Sequence, residues 1–345
     1  RSGGTDVAGF YAFDYFYGGW DLLHAAEPED YGKWHNLAFT YNVGEGVSYF
    51  IDGDFKWSFS DSYTTQISNI ILNVYNFGEN YDVYWDNLTN FTNEAKVTGL
   101  VNISAANVVV DGFTLENPGQ PIAVDINSTA NNVALKHNVI QTVGGPSVGQ
   151  MQAVYLEHGP DNVLIEGNTF KDISSGTSSA KAILSGDSNT TDAATGLKIR
   201  ANTFSNISAL RGAYGVILNN GAGNPGAIIE ANAFNGLSGA WTHAIGLEGP
   251  TENAKVENNA FAGLTATSPD NSAIFFEDNS EGGSVAVKYN KFFHSGLGVG
   301  IHPDDQPGGA NNFNYTVDAS PNWWGSISGP VVSTQIFGSV TYDPW

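Results

Sequence analysis

The chain has 345 residues, of which 35 are acidic and 13 basic, giving a formal net charge of −22. A surface this negative disfavours nucleic acid and anionic membranes as partners. No apolar run reaches about 18 residues, so no membrane insertion is expected, and without cysteine the composition says nothing about redox compartment. The chain begins at Arg1, as expected for a secreted protein without its leader or for a segment of a longer chain.

Residues 1–95 are rich in Tyr, Phe and Trp and lack the repeat found further on. Alternating apolar residues between turn residues predict strands at 33–41, 46–53, 70–75 and 81–92. Three motifs resemble the closing strands of a laminin-G-like or concanavalin-A-like domain: Trp-His-x-Leu-x-Phe-x-Tyr at 34–41, Tyr-Phe-x-Asp-Gly at 49–53 and Trp-Asp-Asn-Leu at 85–88. The resemblance implies a partial jelly-roll β-sandwich over 1–95. Some members of that family bind glycans or Ca²⁺.

Residues 96–345 contain a repeat in which a short apolar strand ends at an Asn, followed two positions later by an aromatic residue or Ile. Successive Asn residues are 27 to 34 residues apart. A period in this range indicates a stacked-repeat fold. The repeated residues are Asn138, Asn168, Asn202, Asn232, Asn259, Asn290 and Asn322.

Each repeat is predicted to contain strands and no helix. Apolar residues alternate with polar ones before each Asn, and a second apolar strand follows a loop rich in Gly and Ser. These features predict an all-β fold, namely a right-handed parallel β-helix of about eight turns, preceded by the partial jelly-roll sandwich.

The repeated positions have structural explanations. Asn tolerates the left-handed backbone of a tight corner, and its amide can bond to the turns on both sides. The aromatic residues should form an internal stack, at Phe170, Phe204, Phe234, Phe261, Phe292 and Trp324. Charged residues two positions before each Asn should form an exposed salt-bridge row, or alternatively a catalytic set, at Lys136, Glu166, Arg200, Glu230, Glu257 and Lys288.

The repeat resembles the right-handed β-helices of the pectate-lyase-like family in fold only. The closing motif Asn-Trp-Trp-Gly…Gly-Pro…Tyr-x-Pro-Trp, at 322–345, resembles large secreted surface proteins of archaea and bacteria. That resemblance implies an extracellular or cell-surface location. The group that it points to includes surface-layer proteins, adhesins and proteins without known activity.

One acidic patch is the candidate site for acid–base chemistry or Ca²⁺ binding, with a hydrated acidic surface as the alternative. It comprises Glu248, Glu277, Asp278, His302, Asp304 and Asp305. The Asn-Thr-Asp and Gly-His-Gly motifs of β-helical polygalacturonases are missing. For a lyase mechanism, which needs a basic residue, we expect only Arg200 and Arg211 to be suitable.

Asn-x-Ser/Thr sequences permit glycosylation without establishing it. They occur at Asn87, Asn90, Asn102, Asn127, Asn189, Asn206 and Asn314.

The sequence therefore favours a non-enzymatic extracellular structural protein, a subunit of a surface layer, sheath or filament that self-associates through its ends. No cofactor is expected, with Ca²⁺ at the acidic patch as the alternative. A carbohydrate-binding adhesin with glycan partners is the first alternative. A β-helical polysaccharide lyase or hydrolase is the second.

Overall fold

A computed structural model describes residues 9–14, 19–25, 27, 30, 35, 37–42, 46–52, 54–59, 71–72, 88–89, 96–186, 191–219, 221–268, 272–277, 285–293, 298–301, 316–337 and 339–343. The chain divides into two compact units, one of residues 1–67 and 75–81 and the other of residues 68–74 and 82–345. The predicted single boundary near residue 95 stays a prediction.

The first unit contains two antiparallel arrangements in its described part. One is a two-stranded pair of Gly9–Asp14 and Gly19–Ala25, and the other is a three-stranded sheet of Leu37–Asn42, Gly46–Ile51 and Asp54–Phe59. The turn after Ile51 uses Asp52 in the left-handed conformation, with φ of 55°. A jelly-roll or laminin-G-like domain stays a prediction.

The second unit is a parallel β-solenoid built from three sheets, each of which takes one strand from every turn. Sheet 1 contains Leu88–Thr89, Val109–Asp111, Ala134–Lys136, Leu164–Glu166, Lys198–Arg200, Ile228–Glu230, Lys255–Glu257, Ala286–Lys288, Val317–Asp318 and Val340–Thr341. Sheet 2 contains Lys96–Thr98, Thr114–Pro118, Val139–Gly145, Thr169–Ser175, Thr203–Ala209, Ala233–Gly239, Ala260–Ala262, Thr265–Ala266 and Lys291–Phe293. Sheet 3 contains Ile71–Leu72, Val101–Ile103, Val124–Ile126, Met151–Leu156, Ala180–Ser185, Gly212–Leu218, Trp241–Leu247, Ile274–Phe276, Val299–Ile301 and Ile336–Phe337.

Six consecutive turns, from Val109 to Phe276, contribute a strand to all three sheets. The all-β, parallel β-helical fold predicted from the repeat is therefore confirmed. Its right-handedness and the total of about eight turns stay predictions. Helix is limited, in the described part of the chain, to the single turn Val332–Gln335, and no described helix is long and apolar enough to cross a membrane.

Two short strands differ from their predicted placement. Ile71–Leu72 pairs in parallel with Val101–Ile103, and Leu88–Thr89 pairs in parallel with Val109–Asp111. The sequence predicts both in the sandwich, whereas in the structure they extend sheets 3 and 1 of the solenoid. The edge of a parallel sheet presents unpaired N–H and C=O groups that accept any strand of the right direction, and local patterning does not reveal that choice.

The left-handed corner residue is not the repeated Asn, which corrects the prediction. The residue immediately before six of the seven Asn residues has positive φ, with values between 51° and 66°, and the exception is Pro321; the six are His137, Gly167, Ala201, Ala231, Asn258 and Tyr289. The repeated Asn residues are absent from the positive-φ positions. Their identity must therefore be explained by the side chain and not by backbone conformation.

Candidate functional site

The repeated Asn side chains form a continuous ladder in the core. Each Nδ2 donates to the Oδ1 of the next Asn at 3.0–3.1 Å, from Asn138 through to Asn322. The same Oδ1 also accepts the backbone N–H of the preceding Asn at 2.7–3.0 Å. All seven are at most 3% exposed. Asn is required because one side chain must donate and accept at once.

Each ladder amide also donates a hydrogen bond to a backbone carbonyl of the preceding turn. The Nδ2 of Asn232 donates to the carbonyl of Ile199 at 2.9 Å, and the other ladder residues make the equivalent bond. The ladder begins at Phe113, whose backbone N–H donates to Asn138 Oδ1 at 3.0 Å. Each Asn therefore joins three successive turns.

The aromatic residues two positions after the ladder form a second column. The rings of Phe170, Phe204, Phe234, Phe261, Phe292 and Trp324 stack with centroid separations of 4.5–5.3 Å. All are at most 2% exposed. They fill the core and are not available to a sugar ring.

The predicted salt-bridge row lies in register along sheet 1. Arg200 Nε lies 2.7 Å from Glu166 Oε1, and Arg200 Nη1 lies 4.0 Å from Glu230 Oε1. Lys288 pairs with Asp318 at 3.1 Å. The Arg200 side chain is 41% exposed, so these pairs are worth at most about 1 kcal/mol each.

A different polar group lies on the outer face of sheet 3. Gln152, Lys181, Tyr214 and His243 occupy equivalent positions in four successive strands. Lys181 and His243 are only 7% and 4% exposed. Lys181, Tyr214, His243 and Glu248 are called the Lys181 cluster below.

Aromatic contacts and a backbone bond fix the histidine of this cluster. The His243 ring lies 4.2 Å from that of Phe275 and 5.5 Å from that of Tyr214. His243 Nδ1 is 3.1 Å from the Ser272 carbonyl oxygen. A carbonyl only accepts, so Nδ1 carries the hydrogen.

Gly212 leaves room for the Tyr214 ring, and Gly246 lies beside the Glu248 carboxylate. A Cβ at Gly212 would stand 2.5 Å from the Tyr214 hydroxyl oxygen, so the tyrosine ring lies over that glycine. A Cβ at Gly246 would stand 3.7 Å from Glu248 Oε1. The Glu248 carboxylate therefore turns back over its own strand.

Burial shifts the protonation of the cluster. It lowers the pKa of Lys181, although Glu248 opposes that shift. It raises the pKa of Glu248 against the opposing effect of Lys181, and it raises the pKa of Tyr214 together with the negative charges of Glu248 and Glu277. A lysine moved towards its neutral form beside a carboxyl moved towards its protonated form is a pattern found at binding and acid–base sites. Mutual neutralisation of Lys181 and Glu248 is the structural alternative.

The acidic patch predicted from sequence is only partly described. Glu248 and Glu277 follow successive strands, since their backbone N–H groups donate to Leu218 and Leu247. Asp278, His302, Asp304 and Asp305 lie outside the described residues. Glu248 is half-buried and lies in the Lys181 cluster, and a hydrated acidic surface stays an alternative for the rest of the patch.

Two further predictions need correction. Alternation in the second strand of each repeat predicts Ser185 on the outward face with Glu157 and Glu248. In the structure Ser185 is fully buried and in register with Leu156 and Leu218, because the outward row is displaced by one residue in that turn. The sequence also does not single out Lys181 as a basic residue near this face. The only sequence signal was a lysine inside an apolar strand, between Ala180 and Ala182.

Three of the seven predicted glycosylation residues are described. Asn206 is exposed and donates to Asp172 Oδ1 at 2.5 Å. The Oδ1 atoms of Asn102 and Asn127 are buried. The others, at Asn87, Asn90, Asn189 and Asn314, lie outside the described residues.

The first unit carries a separate charged network. His24 Nε2 lies 2.9 Å from Asp30 Oδ2, and His35 Nδ1 lies 2.7 Å from Asp52 Oδ2. His35 Nε2 is also 3.4 Å from the Asp30 carbonyl oxygen. In the described part of the chain, no three His, Asp or Glu side chains are grouped as metal ligands.

No protein-family model, curated protein or solved structure matches the chain. The fold and its ladders define the second unit as a parallel β-solenoid.

Proposed function

We propose that this protein is a non-enzymatic structural component of an extracellular or cell-surface assembly, such as a surface layer, sheath or filament. The observation that carries the proposal is the unbroken amide ladder from Asn138 to Asn322. Because each Asn bonds to both neighbouring turns, loosening one turn exposes buried amides in the next. The turns therefore form a mechanically continuous stack, as a subunit that bears tension or pressure in an assembly requires.

Electron microscopy and light scattering of concentrated protein test this function. Filaments, sheets or a concentration-dependent rise in mass are expected, both with and without Ca²⁺. Material that remains monodisperse under every condition would count against a structural assembly.

Carbohydrate binding at the Lys181 cluster is a second candidate function. The observation favouring it is Lys181 itself, which is 7% exposed and has no hydrogen bond or ion pair with the part of the chain that the structure describes. Sugar hydroxyls and carboxylates could bond to Lys181, Tyr214 and His243.

A glycan array tests this second function. Binding by the parent chain should be lost in Lys181→Met and Glu248→Gln and kept in Glu252→Gln, which removes an exposed carboxylate. Glycan binding that is unchanged in Lys181→Met would exclude the Lys181 cluster as the glycan-binding site. New reducing ends or unsaturated sugars released from a polysaccharide panel would instead indicate a hydrolase or lyase.

A further inference from the structure

Oxygen-bearing side chains lie side by side on the outer face of sheet 3, ahead of the Lys181 cluster. Asn102 and Asp125 are register partners in adjacent parallel strands, which places their Cα atoms roughly 4.8 Å apart. Val124 and Ile126, on either side of Asp125, are fully buried in the core. Alternation therefore directs Asp125 away from the core.

The same arrangement continues two residues further on. The backbone N–H of Asn127 donates to the Ile103 carbonyl at 2.9 Å, and that of Glu157 donates to the Ile126 carbonyl at 2.8 Å. Asn127 and Glu157 are thus neighbours in successive turns. Together with Asn102 and Asp125 they form a staggered array of amide and carboxylate oxygens across three turns, because the register partner of Asp125 in the third turn is Tyr155.

Three oxygens in this array are buried and receive no hydrogen bond from the residues that the structure describes. They are the Oδ1 atoms of Asn102, Asp125 and Asn127, each with essentially no solvent contact. Native structures pair nearly all buried polar atoms, and an unpaired atom commonly marks an ion or water. Three unpaired acceptors at adjacent positions indicate a ligand that interacts favourably with several oxygens at once.

The charge of the array favours a cation over water. Asp125 and Glu157 bring two carboxylates into this array. In the described part of the chain, the basic group beside these carboxylates is His158, with Nε2 3.5 Å from Glu157 Oε1. A water molecule donates two hydrogens and relieves no repulsion, whereas a cation satisfies the oxygens and neutralises the carboxylates together.

We propose that Asn102, Asp125, Asn127 and Glu157 bind a calcium ion that joins three successive turns of the solenoid. Carboxylate and amide carbonyl oxygens are the ligands that Ca²⁺ prefers, and its flexible coordination suits side chains fixed by strand register. This site differs from the acidic patch predicted from sequence, and it does not depend on the structural function proposed above.

Calorimetric titration of CaCl₂ into the full chain, after removal of divalent cations with EDTA, tests the site. We expect one saturable site with a Kd of roughly 10⁻⁴–10⁻³ M, the range of extracellular calcium modules, and a higher Tm at saturation. Asp125→Asn should weaken binding at least about tenfold. Glu252→Gln removes an equal charge from an exposed loop and should bind like the parent.

Several outcomes would overturn the proposal: no saturable calcium heat in the parent, unchanged affinity in Asp125→Asn, or an equal loss in Glu252→Gln. Circular dichroism in EDTA checks that Asp125→Asn is folded. Should it fail to fold, Glu157→Gln, at the partly exposed rim, provides the same test. Affinity that is instead lost in Glu277→Gln would assign calcium to the acidic patch.

Discussion

At the scale of single residues, the backbone just before a ladder Asn is strained wherever the residue there has positive φ and is not glycine. Ala201 and Ala231 have φ of 54° and 56°. The left-handed region costs a residue with a Cβ roughly 1–2 kcal/mol. These alanines are tolerated because the turns on both sides fix the backbone.

Ala231→Gly should therefore stabilise the protein by about 1 kcal/mol, because it removes the strain and outweighs the larger chain entropy of glycine when unfolded. Ala233→Gly is the matched control, since Ala233 is equally exposed and lies in a strand without positive φ. It should cost about 0.5–1 kcal/mol. Urea unfolding measures both variants, and destabilisation by Ala231→Gly would contradict the strain argument.

The histidine network of the first unit should depend on pH. The hydrogen bond to Asp52 raises the pKa of His35 against desolvation, so its stabilisation is present below pH 6.5 and is lost as pH rises through the raised pKa. The Glu27 N–H and His24 lower the pKa of Asp30, and that contribution is lost as pH falls below about 3.8.

Asp52→Asn should lower the pKa of His35 towards its ordinary value, because the charged partner is replaced by a neutral amide. An NMR titration of the imidazole protons measures this shift. Asp54→Asn, which removes an exposed carboxylate that pairs with Lys56, should leave the pKa of His35 as in the parent and serves as the control. A His35 pKa that does not change would show that the contact to Asp52 is not populated.

At the scale of secondary-structure elements, the ladder holds the strands of successive turns in register. Asn232 accepts from Asn202 and donates to Asn259 and Ile199. Removing its side chain leaves buried donors and acceptors unpaired in both neighbouring turns, at about 1–3 kcal/mol for each group.

Asn232→Ala should consequently destabilise the solenoid by more than about 3 kcal/mol. Asn235→Ala, at an exposed position of the following strand, should change stability by less than about 0.5 kcal/mol. Chemical denaturation of the two variants gives the comparison. Equal effects would mean that the ladder contributes little beyond strand pairing.

At the scale of the whole molecule, an exposed apolar segment offers a route to self-association. Ile327 is 85% exposed, Val331 57% and Val332 48%. In the sequence they come shortly before the last described strands of the solenoid, Ile336–Phe337 and Val340–Thr341. Apolar side chains grouped in this way favour contact with another copy of the chain.

Ile327→Glu combined with Val332→Glu should prevent the concentration-dependent association expected of a structural protein, because both charges would be buried in the contact. Leu210→Glu, at a residue that is 63% exposed elsewhere, should associate like the parent. Sedimentation velocity over a range of concentrations measures the difference. Association of the double variant at parental strength would place the contact elsewhere.

The sequence by itself determined the repeat, the strand patterning and the residues of both internal columns. These features depend on a period of about thirty residues and on alternation within each strand, which are local and recur in every turn. The same pattern predicted the parallel solenoid with seven ladder residues in register.

Only the tertiary structure decided which corner residue is left-handed, where the strands at 71–72 and 88–89 pair, and that Lys181, Tyr214, His243 and Glu248 meet. The burial of Lys181, and of the unpaired oxygens of Asn102, Asp125 and Asn127, was likewise not visible in the sequence. Contacts on the outer face depend on loop lengths that vary between turns, and burial there is set by distant parts of the chain and not by local periodicity.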